Sequence, residues 1–285
     1  MDATCLAHRL TDEERSTFEK NGYLVIEDVL PQQYVNNLYT TSSNIVAEYR
    51  RTKGIDNDVM ANPFDYIGRD ELFLDLLDWP TTFPKVWGIL GWHIQLYHTH
   101  MTLTPPEPEG ESLETTGLKL GWHQDSGRLN QDLETNPRPR VSVKIGYFLT
   151  DTTVPDSGSV YVVPGSHLRN ELEFPDGDES EPADAVALQV PAGSAIIFDR
   201  RLWHASGRNH SSTTRIVLYY GYSYRWLKPR DDMTVDHLLD RCDPIRRQLL
   251  GDSVSGNHGF TSPTDEDVPL RAWIREHAGE DAVVP

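Results

Sequence analysis

The triplet His123-Gln124-Asp125 brings together two side chains that bind transition metals. In an extended chain, residues i and i+2 lie on the same side, so this imidazole and this carboxylate can occupy neighbouring positions on one ion. A third ligand from another strand would complete the two-histidine, one-carboxylate face that leaves positions open for Fe(II) oxygen chemistry. With 11 histidines and many aspartates, roughly one such triplet is expected by accident, so it does not establish a site alone.

A second element places a histidine and an arginine at a fixed spacing. His204 follows a predicted strand at residues 195–199, and after a polar turn the next strand carries Arg215 on the same face as Tyr219. A guanidinium in an apolar strand is costly to bury without an anion. A dicarboxylate would supply that anion through two parallel hydrogen bonds, and Ser206 could donate another. The alternative is an Arg215 paired with a structural Asp or Glu.

The elements that must position these residues are strands. From about residue 92 the apolar residues recur with a period of two, and turn-rich segments separate the runs. Strands without intervening helices favour an antiparallel sandwich or jelly roll over a sheet of βαβ units. The predicted strands cover residues 95–104, 141–150, 159–163, 195–199 and 213–224.

The segments on either side of these strands are predicted to be mainly helical. Thr11 and Glu14 form a capping box for a helix that ends at Asn21-Gly22, a short strand follows at residues 23–26, and Pro31 begins a second helix. Leu238, Leu239, Cys242, Ile245 and Leu249 fall on one face of a helix near the C-terminus. We therefore expect one domain over residues 1–285, mainly β with flanking helices: a helical part at 1–91, a jelly-roll core at 92–226 and a helical part at 227–285.

Composition and charge narrow the class of protein. The formal net charge of −18 repels nucleic acid and anionic membrane surfaces, and part of the acidic excess lies in the run at residues 176–181, which is typical of a solvated loop. No segment is apolar enough for a membrane helix. Two cysteines are too few for a disulfide framework, and no signal peptide is visible, so we expect a cytoplasmic protein.

Several motifs in fixed order carry a resemblance to a known family. They are Trp122-His123-Gln124-Asp125, Gly158-Ser159 leading to Val163-Pro164-Gly165-Ser166-His167, and His204 followed by Ser206 and Arg215. In this order the chain resembles the phytanoyl-CoA dioxygenase-like family of Fe(II)/2-oxoglutarate-dependent oxygenases. The resemblance extends from the capping box to Tyr224-Arg225-Trp226 and implies the double-stranded β-helix, a cupin-like jelly roll.

The resemblance also implies roles for particular residues. His123, Asp125 and His204 would hold the iron, and Arg215 with Ser206 would bind the far carboxylate of 2-oxoglutarate. Members often carry a lysine or amide on the strand before the triplet, where this chain has alternating His98, His100, Thr102 and Thr104; we assign His100 and Thr102 as further cosubstrate contacts. The cofactors implied are Fe(II), 2-oxoglutarate and O2, with ascorbate as an aid to activity in vitro.

The same resemblance implies the class of reaction. Members oxidise a C–H bond of a small molecule while 2-oxoglutarate becomes succinate and CO2, and the outcome is hydroxylation, desaturation or ring closure. Halogenating members replace the carboxylate ligand by a small residue, so Asp125 favours oxygen transfer. A cupin-like metal-dependent isomerase and a non-catalytic binding protein of the same fold are the alternatives.

The expected substrate is a small metabolite or a natural-product intermediate. We expect its contacts from residues around the mouth of the site, namely Trp122, Gln124, Arg128 and Trp226, with Phe64 and Tyr66 from the helical part. Arginines 138, 140, 200, 201 and 208 would give a cationic rim for an anionic substrate. His167 follows a Pro-Gly-Ser turn and is predicted to be structural, bonded to its own loop. The sequence indicates no oligomeric state.

Overall fold

A computed structural model describes residues 1–107, 120–175 and 181–283. The predicted acidic run at residues 176–181 therefore lies, apart from Glu181, outside the described residues. The first helix, α1 (Asp12–Asn21), has the predicted capping box between Thr11 and Glu14, and Gly22 ends it with a φ of 84°. A side chain at residue 22 would also meet the His167 ring, since an added Cβ would lie 2.6 Å from its Nδ1. Gly22 thus allows β1 (Tyr23–Ile26) to start directly after the helix.

Eight described strands form two antiparallel sheets. After β1 they are β2 (Ile94–Thr104), β3 (Ser142–Phe148), β4 (Val160–Val162), β5 (Val186–Leu188), β6 (Ala195–Asp199), β7 (His204–Ser206) and β8 (Arg215–Tyr224). The larger sheet has the order β1-β6-β3-β8-β2 and the smaller one the order β5-β4-β7. Two of the short strands, β5 and β7, were not predicted as separate strands. This pair of facing sheets is the predicted jelly roll.

The larger sheet buries both of its faces, which explains why its strands contain almost no exposed residues. On the outer face, alternate residues such as Ile145, Ile197 and Leu218 pack against the helices in one hydrophobic cluster. On the inner face, residues such as Phe148, Ile196 and Val217 pack against Val160 and Val162 of the smaller sheet in a second cluster. The site described below lies on this inner face, toward one end of the second cluster.

Helices cover the outer face of the larger sheet. They are α2 (Gln32–Lys53), α3 (Glu71–Asp75), α4 (Phe83–Leu90), α6 (Asp236–Leu239), α7 (Pro244–Leu249) and α8 (Pro269–Ala278), whereas α5 (Gly127–Asp132) borders the cavity of the site described below. The prediction of one continuous helix through Leu238 and Leu249 was wrong. Asp243 caps a new helix by accepting from the Arg246 N–H, and Pro244 occupies its first turn, so the chain breaks there. Within the described ranges, none of the helices combines the length and the apolarity that crossing a membrane requires.

Candidate metal centre

A short backbone bridge brings the two predicted histidine ligands together. The His123 N–H donates to the His204 carbonyl and the His204 N–H donates to the His123 carbonyl, both at 3.0 Å. Their rings lie 4.3 Å apart between centroids, and Asp125 Oδ1 is 4.0 Å from His204 Nε2. One ligand atom from each of His123, Asp125 and His204 lies within 4.8 Å of the other two. Two imidazoles and a carboxylate in this arrangement match the donor set that binds Fe(II) on one face.

Backbone carbonyls fix which nitrogen each imidazole presents. His123 Nδ1 lies 2.9 Å from the Gly121 carbonyl, and His204 Nδ1 lies 2.8 Å from the Leu202 carbonyl. Because a carbonyl only accepts, both Nδ1 atoms carry a proton, so Nε2 is the atom of each ring that is left to bind a metal. Burial lowers the pKa of His204 to about 3, against the opposing effect of Asp125. His204 is therefore neutral at physiological pH, as a metal ligand must be.

Lys144 is a part of the site that was not predicted. Its Nζ lies 2.6 Å from Asp125 Oδ2, and both side chains are almost fully buried. Burial alone would raise the pKa of the Asp125 carboxyl, but the Lys144 ammonium and the two imidazoles outweigh it and hold that pKa far below its ordinary value. The lysine thus engages one carboxylate oxygen while the other faces His204. A lone lysine in the apolar strand β3 was the available signal, the same one that pointed to Arg215.

Arg215 is buried with most of its guanidinium unpaired. Its Nε donates to the Gly158 carbonyl at 2.7 Å, whereas Nη1 and Nη2 have no hydrogen-bond partner among the described residues. Within the same residues no carboxylate lies within 4.0 Å of it, so the structure does not support a structural ion pair there. Burial lowers the pKa of Arg215, and the nearby Tyr219 phenol offsets part of that shift. A buried guanidinium with two free donor atoms fits a carboxylate ligand.

Gly158 makes room for this arginine. It has a φ of 82°, and an added Cβ would lie 3.1 Å from the Arg215 Cβ and 3.3 Å from its Nε. A side chain here would strain the backbone and press on the guanidinium stem. The Gly158-Ser159 motif in the sequence therefore has a direct physical role in seating Arg215.

Not all of the predicted cosubstrate contacts lie next to Arg215. Ser206, Thr102 and His100 line a cavity of about 640 Å³ in front of the triad, whereas Arg215 does not line it. In the register of β2 with β8, Thr104 lies opposite Arg215, Thr102 opposite Val217 and His100 opposite Tyr219. The Thr104 hydroxyl is buried and has no hydrogen-bond partner within the described residues. Thr104 is thus better placed beside Arg215 than the predicted His100.

The predicted substrate contacts are only partly brought together. Arg128 lines the cavity, with its exposed side chain paired to Asp132 at 2.7 Å, and Phe64 also lines it. Gln124 lines it too, but its amide is engaged by the Arg169 and Arg201 carbonyls and by Arg138. Trp122, Trp226 and Tyr66 are not on the cavity wall: Trp122 donates to Glu181, Trp226 stacks on Tyr224, and the Tyr66 hydroxyl donates to the Tyr219 carbonyl.

The prediction of a rim formed by five arginines was wrong. Each of them has a structural partner: Arg138 binds the Asn130 carbonyl, Arg140 and Arg201 bind Asp199, Arg200 binds Asn130, and Arg208 binds Glu107. The cations that line the cavity are Arg128, Lys144, Lys228 and Arg230. His167 does not line the cavity. Its Nε2 lies 3.1 Å from the Glu19 carbonyl in α1, so His167 is bonded to the first helix and not to its own loop as predicted.

Comparison with known sequences connects this arrangement to known proteins. A sequence model of the family described as Phytanoyl-CoA dioxygenase matches residues 18–217. An uncharacterized protein of Mycobacterium tuberculosis is 28% identical over 228 residues, which are 78% of this chain and 78% of that protein. Ectoine dioxygenase of Stutzerimonas stutzeri is 24% identical over 236 residues, or 73% of this chain and 74% of that enzyme.

Comparison with solved structures agrees with the fold. The crystal structure of a non-haem α-ketoglutarate-dependent carbocyclase from nogalamycin biosynthesis superposes with a TM-score of 0.57 at 20% sequence identity. The superposition covers 84% of this chain and 93% of that one. At this identity the likeness concerns the fold, which is the jelly roll described above.

Proposed function

This chain belongs to the phytanoyl-CoA dioxygenase family of Fe(II)/2-oxoglutarate-dependent oxygenases, and on that premise we propose that it hydroxylates a small organic metabolite at an iron held by His123, Asp125 and His204. The observation that carries the assignment of residues is the convergence of the three ligand atoms within 4.8 Å, with the Nδ1 atom of each histidine bonded to a backbone carbonyl. The buried, half-unpaired Arg215 supports a dicarboxylate cosubstrate in the same site.

Each residue of the site would have a separate role in binding the metal or the cosubstrate or in excluding water. When bound, Fe(II) with 2-oxoglutarate and O2 would supply the oxidising power, with succinate and CO2 as coproducts. Asp125 would offer Oδ1, which faces His204, to the metal, while Lys144 holds Oδ2. Arg215 binds the far carboxylate of the cosubstrate, and Ser206 and Thr104 add hydroxyl donors. The rings of Phe198 and Tyr219 exclude water around this inner region.

The cavity supports a small, partly apolar substrate. Its volume of about 640 Å³ lies in the usual range for small-molecule sites. Met60, Phe64 and Leu227 give it an apolar wall near the mouth, where Phe64 is 49% exposed. Lys228 and Arg230 are exposed at the same mouth and favour a substrate that also carries negative charge. This local positive charge contrasts with the net charge of −18, which disfavours a polyanionic partner such as nucleic acid.

Oxygen transfer rather than halogenation is the proposed outcome. Asp125 occupies the ligand position that a halide would need, and its carboxylate is held there by Lys144. We also propose a cytoplasmic protein, because Cys5 and Cys242 are both free thiols and Cys5 is buried.

The proposed site is tested by removing a ligand next to a matched control. His123→Ala should abolish Fe(II) binding and the release of succinate from 2-oxoglutarate, whereas His237→Ala removes an equally exposed histidine outside the cavity and should change neither. Anaerobic titration with Fe(II) and 2-oxoglutarate, followed by the visible charge-transfer band, measures binding directly. Near-normal Fe(II) affinity in His123→Ala would overturn the ligand assignment. A folded, iron-loaded wild type that never consumes 2-oxoglutarate would favour a binding protein or an isomerase instead.

A further inference from the structure

A buried chain of hydrogen bonds runs from Asp231 through His98 to His100 at the cavity. Asp231 Oδ1 lies 2.8 Å from His98 Nδ1, and His98 Nε2 lies 2.8 Å from His100 Nδ1. Asp231 and His98 are 2% and 1% exposed at the side chain, so water does not compete for these bonds. The ring of His100 is the last member of the chain and lines the cavity.

The acceptor at the start of the chain fixes the direction of every bond in it. Asp231 Oδ2 already accepts from the Thr99 N–H and from the Thr99 hydroxyl, as expected of an ionised carboxylate. His98 Nδ1 must then donate to Oδ1, which leaves His98 Nε2 as an acceptor, provided that the ring is neutral. His100 Nδ1 must in turn donate to His98, which leaves His100 Nε2 with a free lone pair.

Both imidazoles are neutral, as this order of donors and acceptors requires. Burial lowers the pKa of His98, against the opposing hydrogen bond to Asp231. Burial, aided by the Lys144 charge, lowers the pKa of His100 well below its ordinary value. Two neutral rings between a carboxylate and the cavity permit a single arrangement of protons. Unlike the metal-binding histidines, which are fixed by carbonyls, this pair is fixed by a carboxylate.

The ring that ends the chain is held in place by aromatic neighbours. The ring of His100 stacks on Tyr219 with centroids 4.5 Å apart and planes 14° apart, and the centroid of the Phe64 ring lies 5.9 Å from that of His100. Within the parts of the chain that the structure describes, no hydrogen-bond partner contacts His100 Nε2. We propose that His100 Nε2 is a fixed hydrogen-bond acceptor for the substrate, so that the substrate presents an O–H or N–H donor beside an apolar or aromatic body. This inference rests on the proposed function, because it uses the same cavity.

The direction of the chain is tested in the metal-free protein by ¹⁵N NMR of the histidine rings, with His100 assigned by its loss in His100→Phe. In the wild type, His100 should show a protonated Nδ1 and an unprotonated Nε2. Asp231→Asn offers an N–H to His98 and should reverse both tautomers, so that His100 Nε2 becomes protonated. Asp232→Asn removes the exposed neighbouring carboxylate and should leave the wild-type pattern. A protonated Nε2 in the wild type, or no reversal in a folded Asp231→Asn, would overturn the proposal.

The donor preference is tested with a matched pair of probes, 1-naphthol and 1-methoxynaphthalene, which differ in one O–H. The wild type should bind 1-naphthol about 2- to 10-fold more tightly, as one neutral hydrogen bond gives. His100→Phe keeps an aromatic ring for stacking but removes the acceptor, and should bind the two probes equally. Equal binding by the wild type, or binding of neither probe, would overturn the donor requirement. Neither measurement uses iron or turnover, so a failure of the oxygenase assignment would be seen separately in the 2-oxoglutarate assay.

Discussion

Replacing Lys144 by methionine should weaken the fold and strengthen metal binding at the same time. The Nζ–Oδ2 distance of 2.6 Å corresponds to a gross attraction of about 6 kcal/mol at an effective dielectric constant of about 20. Removing one partner of a buried pair typically costs about 3–5 kcal/mol, because the other charge stays buried and uncompensated. We therefore expect the metal-free Lys144→Met protein to lose about that much free energy of unfolding.

A bound divalent ion reduces the loss of stability that Lys144→Met causes. It gives Asp125 a new counter-charge, and the substitution also removes an ammonium that would repel the ion. The loss of stability should thus be smaller in the metal-bound protein than in the metal-free one. By linkage, the difference appears as tighter metal binding; a difference of about 2 kcal/mol corresponds to roughly 30-fold. Turnover should nevertheless fall, because Oδ2 of Asp125 is then free to take a second position on the metal.

The assay is urea unfolding with and without saturating Mn(II), together with calorimetric titration of Mn(II). Lys85→Met is the matched control, since Lys85 is a second buried lysine, paired with Glu14 Oε1 at 2.7 Å outside the cavity. That variant should lose the same stability with and without Mn(II) and bind Mn(II) like the wild type. The reasoning is refuted if Lys144→Met binds Mn(II) no more tightly than Lys85→Met does.

Three further predictions follow from buried charges. Arg215→Leu should lower the affinity for 2-oxoglutarate by about 30- to 1000-fold and leave the affinity for the metal unchanged. In the absence of cosubstrate the substitution should raise the melting temperature, because it removes a buried unpaired charge. Lower stability together with normal 2-oxoglutarate affinity would contradict this prediction. With Asp125 in place, turnover in high chloride should give no chlorinated product by mass spectrometry, and a chlorinated main product would refute the assigned role. Burial alone would raise the pKa of the Asp199 carboxyl, but Arg201 and Arg140 outweigh burial and hold that pKa below its ordinary value. The ionised carboxylate therefore stabilises the fold above the unfolded pKa of about 3.9, and this stabilisation is lost as the pH falls through the lower pKa of the folded state. Asp199→Asn should therefore lower the free energy of unfolding at pH 7 by about 3–5 kcal/mol and flatten its decline in acid, as measured by urea unfolding from pH 3 to 7; an unchanged acid decline would contradict this.

Local signals explain what could be predicted from the sequence. The Thr11 capping box and the period-two strands depend on neighbouring residues, so α1, β2, β3, β6 and β8 were predicted within a few residues of their bounds. The face shared by Arg215 and Tyr219 followed from the same alternation. The three ligand residues were predicted from the spacing of His123 and Asp125 and from the motif order of the resembled family, and the structure brings their ligand atoms together.

What was missed depends on contacts between distant segments. β5 and β7 have three residues each and, unlike the equally short β4, do not lie in a longer run of residues that was predicted as a strand. Asp231 lies in a loop after β8, and nothing in its neighbourhood shows that it contacts His98 on β2. Lys144 could have been found, because the argument that a charge in an apolar strand needs a partner applies to it as well as to Arg215. The arginines near residue 200 were misplaced because their partners, Asp199 and Asn130, are decided by packing.

The strand order of the larger sheet determines when the nascent chain can fold. Among the strands that the structure describes, no two neighbours in that sheet are consecutive in sequence: Leu24 pairs with Ile197, and Leu103 pairs with Ile216. Every ladder therefore closes a long loop, which gives the chain a high contact order and slow folding. During synthesis β1 and β2 remain unpaired until β6 and β8 have left the ribosome. The apolar residues of β1 and β2 are exposed during that time. We therefore expect slower expression at low temperature, with chaperones present, to raise the recombinant yield by protecting these unpaired strands.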